Sequence, residues 1–178
     1  MILAFSGEMG SGKTRLSYAL AEEIAYPKIG FGEYLRHIAK NEQREATREY
    51  LQELGEILVT TDPVGFTRDV LKFADWKQGE PLIVDGMRHI EVLSALHSEV
   101  SPSPLHLIYV DTASSIRHSR LIDRDKTESI ILDQLERHST EAQSDRLRGK
   151  ANLVLDGSIP VDQLVKIIIS SLTQWSQQ

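Results

Sequence analysis

Eight residues near the start of the chain constrain it more than any other feature: Gly7-Glu8-Met9-Gly10-Ser11-Gly12-Lys13-Thr14. They match the pattern G-x-x-x-x-G-K-[ST] at every fixed position. Glycines there let the backbone bend until successive N–H groups point into one concavity, which suits phosphate oxygens. A helix beginning directly behind the loop adds its positive end. In this chemistry Lys13 places an ammonium on the terminal phosphate and Thr14 offers its hydroxyl to Mg²⁺. The flanks agree with the motif: Ile2 to Phe5 reads as a buried strand, and Lys13 to Ile24 as a helix with Leu16, Leu20 and Ile24 along one face. All eight residues are therefore expected to hold the phosphates of a nucleoside triphosphate.

Beyond the loop, short apolar runs alternate with longer amphipathic segments, the rhythm of βα units and a parallel sheet. Lys28–Gly30, Pro81–Val84, Leu105–Val110 and Asn152–Leu155 read as further strands. Helices are expected over Gly32–Lys40, Thr47–Val59, from Pro63, over Ala113–Arg124, over residues 126–148 with a break near Ser139, and over Val161–Leu172. The expectation is a three-layer α/β fold on a five-stranded parallel sheet with a short helical lid, all within one domain of 178 residues. There is no cysteine, hence no disulfide framework and no thiolate metal site. No run approaches the roughly 20 apolar residues of a membrane span, and the start lacks a signal-peptide pattern, so a cytosolic protein is expected. The net charge of −6 points away from a nucleic-acid partner, because phosphate neutralisation needs the opposite balance. An anionic small molecule needs only local positive charge.

Leu82-Ile83-Val84-Asp85 is an apolar strand ending in a carboxylate, the arrangement that supports Mg²⁺ through water beside such a loop. Absences narrow the class. No Asn-Lys-x-Asp guanine-reading loop and no Leu-Ser-Gly-Gly-Gln occurs, and Asp85 is followed by Gly86 where motor and AAA-type ATPases commonly carry a water-activating Glu. A compact phosphotransferase remains, in which another molecule accepts the phosphate.

Four stretches together resemble the nucleoside monophosphate kinase-like P-loop kinases, closest to the branch holding dephospho-coenzyme A kinase and its uncharacterised relatives. They are Gly7 to Thr14, Phe31 to Arg36, Val84-Asp85-Gly86-Met87-Arg88, and Arg117 to Arg124; Tyr50 to Gly55 adds a further likeness. The resemblance implies a kinase that uses ATP and Mg²⁺ on a small phosphate-bearing acceptor, with an acceptor-binding region over about 31–76 and a lid over about 120–140. It implies that Arg36 and Arg88 hold the acceptor phosphate, for which guanidinium forks are well suited. It implies that Arg120 and Arg124 pin the phosphates during transfer; Arg117, on the same helical face, is read instead as part of a solvated face balanced by Asp111, Asp123 and Asp125. Asp156-Gly157-Ser158 falls where these kinases pass backbone around the adenine.

The chain departs from the pattern in places. Glu33 follows Gly32 where these kinases often have Asp, and Asp-Gly-Met-Arg shortens the usual Asp-Gly-x-Pro-Arg. Tyr26 to Gly30 lacks the aspartate of the coenzyme A branch, and no general base stands out. Three alternatives stay open: an ATP-dependent regulatory switch acting on a protein partner, a dephospho-coenzyme A kinase-like activity, and an RNA- or DNA-end kinase, which would want a basic groove that the net charge disfavours. The six histidines show no metal spacing, and His106 reads as strand packing. The charged run from Glu42 to Glu53 reads as a solvated helix face that could also wall the acceptor site. Arg137 is a further possible lid arginine.

Overall fold

The computed structural model describes residues 1–125 and 140–176. Five strands, β1 (Ile2–Ser6), β2 (Lys28–Gly30), β3 (Leu82–Met87), β4 (Leu105–Asp111) and β5 (Leu153–Asp156), form one sheet in the order β2-β3-β1-β4-β5. Every neighbouring pair is parallel. Among the described residues eight helices surround it: α1 (Lys13–Ile24), α2 (Phe31–Asn41), α3 (Arg48–Thr61), α4 (Pro63–Phe73), α5 (Ile90–Val100), α6 (Ser114–Asp125), α7 (Thr140–Lys150) and α8 (Val161–Trp175).

The two-residue period of a strand divides the core. Ile2 and Ala4 of β1, with Leu82 and Val84 of β3, face a cluster built by α2–α5 and α7. Leu3 and Phe5, with Ile83 and Ile108, face α1 and α8. The central strand β1 is buried on both sides, which is why its sequence is continuously apolar rather than alternating. Full burial of each such side chain contributes about 1.5–3 kcal/mol.

Local signals set several boundaries. Asp62 caps α4 by accepting from the Gly65 N–H at 2.8 Å, and Pro63 opens the helix where its missing N–H costs nothing. Thr47 caps α3 through the Tyr50 N–H. Helix α5 was not among the sequence expectations. It begins at His89 with no side-chain cap, and it is specified by burial of Val92, Ala95, Leu96 and Val100 against α4 and the sheet. Parallel strands leave their carboxyl ends, and hence the loops after β1, β3 and β4, on one edge, where the cleft lies.

Candidate functional site

Loop Gly7–Thr14 joins β1 to α1, and Gly12 stands at the helix N-cap in a left-handed conformation. Gly10 requires glycine on two counts: its φ is 78°, and a Cβ there would come within 2.8 Å of the Arg117 carbonyl. Lys13 is buried and its Nζ donates to the Glu8 carbonyl at 3.2 Å. Thr14 is exposed into the cleft behind it. The Ser11 Oγ is buried without a hydrogen-bond partner.

Helix α6 braces this loop with two arginines. Arg117 is only 6% exposed; its guanidinium donates to the carbonyls of Thr112 (3.1 Å) and Met9 (3.3 Å) and pairs with the Glu8 carboxylate at 2.7 Å. This corrects the expectation of a solvated Arg117: the expected balancing Asp111 pairs with Arg148 instead, at 3.0 Å. Arg120 donates to the carbonyls of Ser11 (3.1 Å), Gly10 (3.4 Å) and Gly157 (2.9 Å), tying the loop to the turn after β5. These bonds satisfy carbonyls turned away from the concavity and add positive charge behind it. The side chain of Arg124 lies outside the described residues, as do Arg137 and most of the expected lid.

Strand β3 delivers the opposing group. Asp85 ends up 5% exposed at the cleft floor, with Oδ1 buried and unpartnered. The β1–β3 register slips here, Phe5 opposing Asp85 and Ser6 opposing Met87, so Gly86 is the extra residue, at φ 89°. The bulge redirects the chain and carries Arg88 and His89 into the cleft.

The cleft is continuous, about 820 Å³, from Lys13, Thr14 and Arg120 at one end to α2 and α3 at the other. Arg36 and Arg88, the two acceptor arginines inferred from sequence, both line it. So does Arg48, in the first turn of α3, within the charged run expected to form a solvated face that could also wall the acceptor site. A cation in that turn opposes the helix dipole, a signal that could have singled it out. Arg88 is accessible from the cleft, yet the walls around it desolvate the guanidinium and lower its pKa; Asp85 acts against that and Arg48 with it. Neither Arg36 nor Arg88 donates a hydrogen bond to a described residue.

Two more groups complete the walls. Burial alone would raise the Glu33 pKa, but the Lys28 ammonium at 2.7 Å, the Tyr18 hydroxyl at 3.1 Å and Arg36 outweigh it and hold the carboxyl below its ordinary value. Glu33 is thus a fixed carboxylate at the rim. His89 is pulled below the ordinary imidazole value by burial, with Arg88 adding to the effect and Glu56 and Glu91 opposing it; its Nε2 lies 3.7 Å from Glu56 Oε2. Among the described residues no group of three or more His, Cys, Asp or Glu could hold a metal by itself. Thr14 and Asp85 fit Mg²⁺ in the other way, as few protein oxygens completed by phosphate and water.

A family model described as an AAA domain (AAA_18) matches residues 3–144. The chain belongs to that family. Solved structures of low identity share its fold. An uncharacterized protein from Eubacterium ventriosum superimposes with TM-score 0.64 at 14% identity, over 97% of this chain and 98% of the other. Shikimate kinase from Aquifex aeolicus gives 0.59 at 17% identity, with 99% of both chains covered. A gluconokinase from Sinorhizobium meliloti gives 0.60 at 19%, over 98% of this chain and 93% of the other. The expected P-loop, nucleoside monophosphate kinase-like fold is therefore present. No curated protein matches the sequence. No helix among the described residues is long and apolar enough to cross a membrane.

Proposed function

We propose that the protein is a small-molecule kinase that moves the γ-phosphoryl group of Mg-ATP onto a small phosphate-bearing acceptor, a nucleotide by preference. The observation that carries this reading is the single cleft with two cationic ends. Lys13, behind its N–H cradle, occupies one end; Arg36, Arg48 and Arg88 line the other. A guanidinium desolvated by its surroundings and lacking a hydrogen-bonded protein partner is costly unless an anion meets it. The ATP phosphates belong on the loop, so Arg88, with Arg36 beside it in the cleft, calls for a second anionic molecule. The kinase names of two structural neighbours agree with phosphoryl transfer.

In this reading Gly7–Thr14 hold the ATP phosphates, and Lys13, Arg120 and Arg124 stabilise charge on the transferring group. Thr14 and Asp85 hold Mg²⁺, Asp85 through water, and the metal neutralises phosphate charge. Arg36, Arg48 and Arg88 place the acceptor in line. A phosphate acceptor is already ionised near neutral pH, which accommodates the lack of a general base.

ADP release from Mg-ATP, measured with ribo- and deoxynucleoside monophosphates, nucleosides and dephospho-coenzyme A, tests the proposal. Large stimulation by a phosphate-bearing acceptor, abolished in Lys13→Ala, is expected. Tight ATP binding with no response to any acceptor would contradict it and favour an ATP-dependent switch.

A further inference from the structure

Helix α3 turns one face to the cleft: Arg48, Leu51, Gln52, Gly55, Glu56 and Val59, spaced by three and one along the helix. The stripe is polarised. A guanidinium stands at its first residue, and a carboxylate eight residues on, about 12 Å along the axis. Between them the cleft is lined by Leu51, Gln52 and Gly55. Gly55 has no side chain, a Cβ there would sit 3.3 Å from Leu35 Cδ1, and Leu35, Leu51 and Val59 line the slot beside it. That is a surface for the face of a planar ring.

The polar atoms at the far end are specific in kind. The amide of Gln52 takes part in no hydrogen bond with a described residue. Among the described residues the Glu56 carboxylate has one titratable partner within ion-pair reach, the His89 imidazole at 3.7 Å. Burial keeps that ring below its ordinary pKa, hence neutral near pH 7, so it does not cancel the carboxylate charge. The wall therefore offers an amide N–H donor one turn from a carboxylate that can accept two N–H groups.

We propose that Gln52 and Glu56 read the base of the acceptor, and that the acceptor is a guanine nucleoside monophosphate. This rests on the kinase reading above and supplies its substrate. Guanine presents a carbonyl and then two adjacent N–H donors along one edge, matching amide and then carboxylate. Adenine and cytosine place a ring-nitrogen lone pair beside the amino group, and uracil and thymine flank one N–H with two carbonyls. Uracil and thymine set a carbonyl against Glu56, whereas adenine and cytosine, with the ring nitrogen on the Gln52 amide, give the carboxylate only the amino group where guanine gives two adjacent N–H groups. Hypoxanthine keeps the carbonyl and the ring N–H but lacks the amino group.

The test uses the full chain with Mg-ATP and compares kcat/KM for GMP, IMP, AMP, CMP, UMP and dTMP. GMP is expected to lead, with IMP about 10- to 100-fold lower for one lost charge-assisted hydrogen bond. Glu56→Gln, checked by its melting curve, should collapse the GMP/IMP ratio to within a few-fold, the loss falling on KM rather than kcat. Gln52→Leu should weaken GMP in the same way if Glu56→Gln does not fold. A preferred acceptor lacking the two-donor edge, or an unchanged GMP/IMP ratio in a folded Glu56→Gln protein, would overturn the inference while leaving the kinase intact. Stimulation by dephospho-coenzyme A but by no monophosphate would overturn this inference alone, and stimulation by no acceptor at all would remove the kinase reading with it.

Discussion

The Arg117 guanidinium pairs with the Glu8 carboxylate at 2.7 Å, so the helix after β4 grips the middle of the phosphate loop. The pair is asymmetric: the Arg117 side chain is 7% exposed and that of Glu8 34%. Removing the buried partner leaves the Thr112 and Met9 carbonyls without this guanidinium donor and takes one cation from Glu8. Arg117→Met should therefore cost about 3 kcal/mol of stability, the lower end for a broken buried pair. Glu8→Gln should cost about 1 kcal/mol. Urea unfolding of the two variants checks the order; equal, small losses would show that the brace is not structural.

Asp85 offers a more local test. Its buried, unpartnered Oδ1 faces the cleft, and replacement by Asn keeps the shape while removing the charge. Asp85→Asn should lower apparent Mg²⁺ affinity in the presence of ATP about 10- to 100-fold. A titration of Mg²⁺ against ADP release reads this directly. A metal dependence identical to the parent protein would take Asp85 out of the site.

Glycines at two positions should respond oppositely to a methyl group. A Cβ at Gly157 would lie 2.0 Å from Thr112 Oγ1 and 2.7 Å from the Ser11 carbonyl, at the seam between the β5 turn and the phosphate loop. Gly157→Ala should destabilise by about 1–3 kcal/mol and weaken ATP binding, because the loop must yield. Gly149, within α7, has nothing within 4 Å of such a Cβ, and Gly149→Ala should stabilise by about 0.5–1 kcal/mol. Thermal melts and ATP titrations of both variants decide it.

Much of this architecture was legible because local rules and tertiary needs coincide in it. The phosphate loop, the continuous apolar run of β1 and Pro63 at the head of α4 each announce themselves within a few residues. Even β2, only three residues long, falls where expected. What was missed is non-local. Helix α5 lacks a cap and is defined by what it packs on. Arg48 sits in a charged run whose outward half is indeed solvated, and only the cleft shows which half faces inward. Arg117 shares a helical face with Arg120, but spacing could not reveal that β4 and the loop enclose it. Gln52, Glu56 and His89 line one cleft from two segments more than thirty residues apart, which no spacing within either segment encodes.

Acidification should act through two histidines. Burial lowers the pKa of His89 and of His106, in His106 aided by the N-terminal ammonium, from an ordinary value of 6.5. The unfolded chain then binds protons that the folded one refuses. Their contribution is complete above pH 6.5 and is lost as pH falls toward and through the folded-state values. The melting temperature should drop between pH 7.5 and 5.5. His106 stacks on Trp175 with ring centroids 4.1 Å apart, so His106→Phe keeps the stack while removing the proton site. That variant should show a shallower drop; an identical slope would exclude His106 from the effect.

The central claim is that one cleft binds two anionic molecules, each held by its own cations. Initial rates of ADP release, with ATP and the stimulating acceptor varied in turn, test it most directly in Lys13→Ala and Arg88→Ala. Arg88→Ala should raise the acceptor KM about tenfold or more, as expected for loss of a charge-assisted anchor, and leave ATP binding within about twofold. Lys13→Ala should abolish turnover at every acceptor concentration. An Arg88→Ala protein whose ATP affinity falls while its acceptor KM is unchanged would show that the arginine end serves ATP, and the two-substrate account would be wrong.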